Sequence, residues 1–307
     1  MAIKHIEELK FKQTLFALIY GHTGNGKTTL ALSGDPNTLL IDTDGGIDRI
    51  NEEHLMTAGF IQVQSYAEIL SDLQYAGKYN VIVIDTLGKL IEFMAVDIMN
   101  QSEKNSNGFG SLSMKGWGIL NTTFKDFCLR IRRMGKHLIF VAHTIAEKNK
   151  DDIKYIPDVR ANNFNSLASN LDLIGYMSCI GSERTLSFTP TSDHEGKNSG
   201  FDNIIKIPTL SAGVPNDFFA KHILSKHFDN LSKKEKKSAE VREKLNEIDV
   251  MLSFVNSPAS ADEFCKQIKE MEHIGTSLQY AKTKFKAKVK ELNLQLNKDT
   301  GLYEEVA

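Results

Sequence analysis

Short apolar runs alternate along this chain with segments whose apolar residues recur at helical spacing. The pattern predicts βαβ units and a mostly parallel sheet. Leu15 to Tyr20 reads as a buried strand, Lys27 to Leu32 as the helix after it, and Thr38 to Asp42 as a second strand. Phe60 to Val63 is a candidate third strand. Ser65 and Glu68 make a capping-box pattern that starts a helix near Tyr66. Val81 to Asp85 is the most strand-like run, and a helix follows from about Gly88 to Gln101. Ser102 to Lys115 is polar and rich in Gly and Ser, which predicts a mobile loop. A helix is expected from about Gly116 to Met134 and a buried strand from Leu138 to Ala142. Lys148 to Asn165 reads as a second polar loop. Leu173 to Ile180, Thr185 to Phe188 and Asn203 to Ile207 suit strands or a hairpin at the sheet edge.

The pattern changes after about Phe228. Ser232 and Glu235 make another capping box, and Val241, Leu245, Ile248, Leu252 and Val255 form one apolar helix face. Pro258 breaks that helix, Ser260 and Glu263 are expected to cap the next, and Leu278, Ala281, Phe285, Val289, Leu292 and Leu296 form a further stripe. The expected organisation is an α/β core over residues 1–228 and a small helical C-terminal domain over 229–307. Composition narrows the class. The charge balance of −2 rules out a polycation, so any nucleic-acid contact must come from local patches. The three cysteines, Cys128, Cys179 and Cys265, make no CxxC pair and read as buried free thiols. Met1 to Gln13 mixes Lys and Glu without an apolar core, unlike a signal peptide. No apolar run approaches the ~18 residues of a membrane span. A cytoplasmic protein with no membrane partner is expected.

Gly21-His22-Thr23-Gly24-Asn25-Gly26-Lys27-Thr28 satisfies the P-loop pattern GxxxxGK[ST]. Its glycines let successive backbone N–H groups turn toward phosphate oxygens, and the following helix aims its positive end at the same place. Lys27 would bridge the β- and γ-phosphates of ATP, the Thr28 hydroxyl would ligate Mg²⁺, and Thr29 continues the nucleotide-binding set. Asp85 closes a buried strand, where a Walker-B carboxylate holds Mg²⁺, though a helix N-cap would also suit it. Thr86 follows it where an AAA+ ATPase usually carries a catalytic Glu, so the water-activating group must lie elsewhere. Asp44, before Gly45 and Gly46, is the candidate to orient and polarise that water; its plain alternative is a turn residue. Asp42 competes for the role but reads better as a cap on the strand end. His143 ends the Leu138 to Ala142 run and is placed to touch the γ-phosphate, or is simply a satisfied strand-end histidine.

Taken in order, these segments resemble the RecA-type recombinase core. Asp44 occupies the place of that family's glutamate, Val81 to Thr86 resembles its Walker B, and His143 replaces the glutamine after its sensor strand. The resemblance is strongest to the compact phage group of RecA-like proteins associated with single-strand annealing, and covers about residues 12–220. It implies a RecA-like P-loop NTPase core, a mostly parallel sheet flanked by helices, ahead of the helical C-terminal domain. It also implies an oligomer, ring or filament, that hydrolyses ATP with Mg²⁺, in the host cytoplasm if phage-encoded. Two DNA-binding loops would fall at about Asn105 to Lys115 and Lys148 to Asn165, and Lys197 would represent a basic pair that reaches a neighbour's ATP.

Lys115, Lys150, Lys154 and Arg160 are the candidate DNA-binding cations of these loops, with Phe109, Trp117, Tyr155 and Phe164 as nearby aromatics. Cations beside stackable rings suit single-stranded DNA. Asp151, Asp152 and Asp158 dilute the charge, so solvated loops are the bland reading. The five lysines from Lys282 to Lys290 suit a nucleic-acid contact or a partner surface, but read best as a solvated helix face. The leading expectation is a DNA-stimulated, single-strand-binding recombinase or annealing ATPase, with a single-stranded DNA-binding protein as a candidate partner. A helicase-loader or motor subunit and a nucleotide-gated protein-binding adaptor are the alternatives.

Overall fold

A computed structural model describes residues 13–50, 52–55, 58–149, 152–159, 164–198, 200–201, 204–209 and 216–306. The chain divides into two compact units, with the boundary between Phe228 and Asp229. The first unit opens with β1 (Phe16–Gly21), α1 (Lys27–Ala31) and β2 (Thr38–Asp42). Next come α2 (Glu52–Leu55), β3 (Gly59–Gln62), α3 (Tyr66–Asp72), β4 (Val81–Asp85), α4 (Leu87–Gln101) and α5 (Met114–Arg133). It continues with β5 (His137–Ala142), β6 (Thr144–Asn149), β7 (Asp152–Pro157), α6 (Phe164–Ala168), β8 (Leu173–Ile180), β9 (Glu183–Ser187) and β10 (Ile205–Ile207).

Eight of these strands form one sheet in the order β10-β9-β8-β1-β5-β4-β2-β3. Every neighbour pair from β8 through β3 is parallel, and β9 and β10 close the other edge antiparallel. This is an α/β architecture with a mostly parallel sheet flanked by helices, and β5 is inserted between β1 and β4. Successive residues of β1 face opposite sides, and both sides are covered. Phe16, Leu18 and Tyr20 pack with Leu90, Met94, Phe124 and Phe127 of α4 and α5, while Ala17 and Ile19 pack with Leu30, Ala31, Phe219 and Ile223. The carboxyl ends of β1, β2, β4 and β5 therefore reach one rim, with Ile19 opposite Val141 and Asp42 opposite Asp85. Asp172 locks the opposite rim: its carboxylate accepts from the Phe16 N–H at 3.0 Å and pairs with Arg132 at 3.0 Å.

Several local expectations need correction. Much of the expected second polar loop is an antiparallel hairpin, with β6 and β7 pairing from Thr144↔Pro157 to Asn149↔Asp152. The expected mobile loop folds on itself through its own polar side chains. Asn105 is buried and donates to the Ile98 carbonyl at 2.8 Å, Ser113 donates to the Lys104 carbonyl at 2.9 Å, and Ser106 bridges to Leu112. Ser232 caps nothing, because α7 (Ser225–Ser253) runs through it after a π-helical turn at Ala220–Leu224. In the second unit the cap of α8 (Pro258–Glu270) is Ser257, not Ser260. Pro258 suits the first helical position, where a missing N–H costs nothing, so Ser260 becomes the third residue of the helix and the reciprocal partner of the cap.

That second unit packs Ile248, Leu252 and Val255 of the first helix and its exit against Phe264 and Ile268 of α8 and Ala281 and Phe285 of α9 (Ser277–Glu291). The α9 stripe ends near Leu292, and the chain then forms a small hairpin that the sequence pattern did not announce, β11 (Leu294–Leu296) with β12 (Tyr303–Glu305). Among the described residues no helix is long and apolar enough to cross a membrane.

Candidate functional site

The loop from Gly21 to Thr28 leaves β1 and enters α1, with Gly24 and Gly26 at φ of 83° and 89°, where an L side chain is strained. Gly21 answers a different demand. A Cβ there would lie 2.2 Å from the Met177 carbonyl oxygen, so only glycine lets β8 run this close. Asn25 fastens the loop to the same carbonyl through its side-chain amide at 2.9 Å. The buried Lys27 ammonium donates to the His22 carbonyl at 2.8 Å. Burial lowers its pKa, against the opposing pull of Asp85 and Asp44.

Thr28 donates its hydroxyl to the Asp85 carboxylate at 2.5 Å. Desolvation pushes the Asp85 pKa up to about 6, with the Thr28 hydrogen bond pulling against it. Asp42 is buried and committed to structure: its carboxylate accepts from Gly46 N–H at 3.0 Å, Ile47 N–H at 3.2 Å and the Gln62 amide at 3.2 Å. Asp44, two residues on, keeps more freedom. One oxygen accepts from Gly46 N–H at 3.0 Å and the other lies 3.9 Å from Arg49. Thr43 locks the two strand ends together, accepting from Thr86 N–H at 2.7 Å while its own N–H donates to the Asp85 carbonyl at 2.8 Å.

His143 meets the P-loop from the far side, its Nδ1 lying 3.3 Å from the Thr23 hydroxyl. Burial and then the Lys27 cation lower its pKa, so the ring is neutral at physiological pH. A second link joins the P-loop to the β6–β7 hairpin. The His22 ring meets Tyr155 edge-on at 5.2 Å, Tyr155 stacks on Tyr176 at 5.6 Å, and Tyr176 stacks on His194 at 5.0 Å. Tyr20 fixes this ladder by donating its hydroxyl to the Glu195 carbonyl at 2.7 Å.

Thr23, Gly24, Gly26, Lys27, Thr28 and Thr29 line one cavity of about 450 Å³, and Asp44, Asp85 and His143 complete its wall. Gly21, His22 and Asn25 hold the loop's shape through the contacts above. The same cavity is bordered by Arg49, His54 and Arg184, which sequence reasoning missed. No motif marks Arg184; strand pairing with Cys179 brings it to the P-loop. A larger cavity of about 580 Å³ shares Asp44 and His143 and is floored by Ile91, Met99, Leu112 and Trp117.

The candidate DNA-binding residues are not gathered in this way. Lys115 is exposed at the start of α5. Lys154 is ion-paired with Glu195 at 2.7 Å, so its charge is already countered, and the Tyr155 ring is held in the ladder. Lys150 and Arg160 lie outside the described residues. The Lys197 ammonium donates to the Ala168 and Leu171 carbonyls of its own chain at 2.9 and 2.5 Å.

The oxygen donors of Thr28 and Asp85 suit a hard cation such as Mg²⁺, which takes few protein ligands beside phosphate and water. Among the described residues no cluster of three or more His, Cys, Asp or Glu groups fit to hold a metal occurs. Among solved structures the chain is similar to the crystal structure of the RadB recombinase, with 17% identity, a TM-score of 0.36, and coverage of 56% of this chain and 79% of that one. No curated protein matches the sequence. Residues 14–199 match the family model described as AAA domain, although Thr86 rather than Glu follows Asp85. That span holds more than half of the 307 residues and includes the P-loop, Asp44, Asp85 and His143, and the chain belongs to the AAA domain family.

Proposed function

We propose that this protein is a Mg²⁺-dependent ATPase whose nucleotide state controls binding to single-stranded DNA, of the phage RecA-like recombinase or annealing type and active as an oligomer. One observation carries the reading: Lys27, Thr28, Asp85, Asp44 and His143 converge on a single cavity at the carboxyl ends of parallel strands. Lys27 would exchange the His22 carbonyl for phosphate oxygens. Thr28 and Asp85 would hold Mg²⁺, which neutralises phosphate charge and stabilises charge in the transition state. Asp44 would orient the attacking water and draw on its proton, since its carboxylate is not consumed as that of Asp42 is.

The two P-loop contacts, Thr23 with His143 and His22 with Tyr155, support a route from the nucleotide site to the β6–β7 hairpin. For the DNA surface the best support is the Ser106–Leu112 loop, whose tip presents Phe109 at 93% exposure, with the exposed Lys115 three residues beyond the loop. A ring that projects this far can stack on an unpaired base.

Fluorescence anisotropy of a labelled single strand with ATP analogue, ADP or no nucleotide tests the reading. Tightest binding is expected with the analogue, and weaker binding to duplex. His143→Ala is expected to keep basal turnover and lose its stimulation by DNA. The exposed Phe109 and Met114, at 93% and 92%, also favour a second reading, a nucleotide-gated surface for a protein partner. Equal DNA affinity in all three nucleotide states would favour that second reading.

A further inference from the structure

Arg184 stands out as a cation at the P-loop with no acidic partner among the described residues. Its Nε donates to the Asn25 carbonyl at 3.1 Å, and that is the side chain's one hydrogen bond among the described residues. The guanidinium lies against Gly26, where a Cβ would be 3.6 Å from Nε, and the side chain borders the same cavity as Lys27 and Thr28. Alternation along β9 fixes this orientation. Arg184 shares its face with the buried Leu186, while Glu183, on the other face, pairs with Lys206 at 2.6 Å. Nε is occupied by the loop itself, which leaves both terminal amino groups free to meet an anion.

We propose that Arg184 is a phosphate-binding residue acting on the nucleotide of its own chain. This inference rests on the ATP reading above. Arginine suits the position because its planar fork can hold the loop carbonyl with one nitrogen and phosphate oxygens with the others. In this arrangement Lys27 at the start of α1 and Arg184 on β9 flank the phosphates from two elements, and β9 links the nucleotide to the antiparallel end of the sheet. Lys197, tied to carbonyls of its own chain, does not compete for this role.

Titration of the full chain with ATP and with ADP in Mg²⁺ tests it. Arg184→Gln is expected to weaken both by about tenfold to a hundredfold, the effect of losing a charge-assisted hydrogen bond. Arg184→Lys should fall between, because the charge survives and the fork does not. Adenosine affinity should stay at the wild-type level, which confines the loss to the phosphates. If Arg184→Gln lowers the melting temperature without nucleotide, Arg184→Lys carries the comparison instead. Wild-type affinity for ATP and ADP in these variants overturns the proposal. Mixing Lys27→Ala chains with Arg184→Gln chains separates the two geometries: no recovery of turnover is expected, and recovery would assign Arg184 to a neighbour's nucleotide. A wild-type chain that binds neither ATP nor ADP would instead overturn the underlying ATP reading.

Discussion

Asp85 carries a charge that the unliganded fold disfavours. Its pKa rises from 3.8 to about 6 because burial removes water from the carboxylate. A raised folded pKa means that this group favours folding at low pH and that the contribution is lost as pH climbs through about 6. Asp85→Asn is therefore expected to raise the melting temperature of the nucleotide-free protein near neutral pH. The same change should abolish the Mg²⁺-dependent part of nucleotide affinity, since an amide is a poor ligand for a hard cation. A lowered melting temperature together with intact Mg²⁺ dependence would count against the assignment. Gly21 makes a separate prediction. The 2.2 Å approach of a Cβ to the Met177 carbonyl means that Gly21→Ala must part β1 from β8, at about 1–3 kcal/mol, readable as a shifted urea midpoint. The glycine pattern and the strand-end acids were legible in the sequence because their chemistry is local. The demand on Gly21 comes from a strand more than a hundred residues away in sequence, as does the arrival of Arg184 at the loop.

Among the elements, the β6–β7 hairpin links the nucleotide loop to the surface. The ladder of His22, Tyr155, Tyr176 and His194 couples it to the P-loop and to β8 at once. Tyr155→Ala should leave ATP affinity within about threefold of wild type while uncoupling the hairpin. In hydrogen exchange, nucleotide should slow exchange across Thr144–Pro157 in the wild type and not in the variant. The same response in both would remove the ladder from the coupling. The hairpin escaped sequence reading because Glu147, Lys148 and Lys154 put charge along both strands, so the segment resembles a solvated loop. Its pairing is supported by rings from distant strands. The Ser232 error has the opposite origin: a Ser-x-x-Glu spacing inside a long helix is indistinguishable locally from a cap. Parallel strands, in contrast, were found nearly to the residue, because burial on both faces leaves unbroken apolar runs such as Val81 to Ile84.

At the scale of the molecule, a net charge of −2 leaves no general attraction for nucleic acid, so any DNA affinity has to be local. Phe109→Ala and Lys115→Glu are expected to weaken single-strand binding without changing ATP affinity, and wild-type affinity should fall with salt according to the few phosphates neutralised. Lys154→Glu would act differently, by breaking its pair with Glu195 and loosening the hairpin. The order of strands, with β5 between β1 and β4, brings Lys27, Asp85, Asp44 and His143 to one rim of the sheet. Phosphate release from ATP by the wild type, Lys27→Ala and Asp44→Asn, with and without single-stranded DNA, tests this convergence most directly. The wild type should turn over ATP and accelerate with DNA, Lys27→Ala should be inert, and Asp44→Asn should bind ATP yet lose about a hundredfold or more in rate. Phosphate release at the wild-type rate by Lys27→Ala and Asp44→Asn would contradict the account.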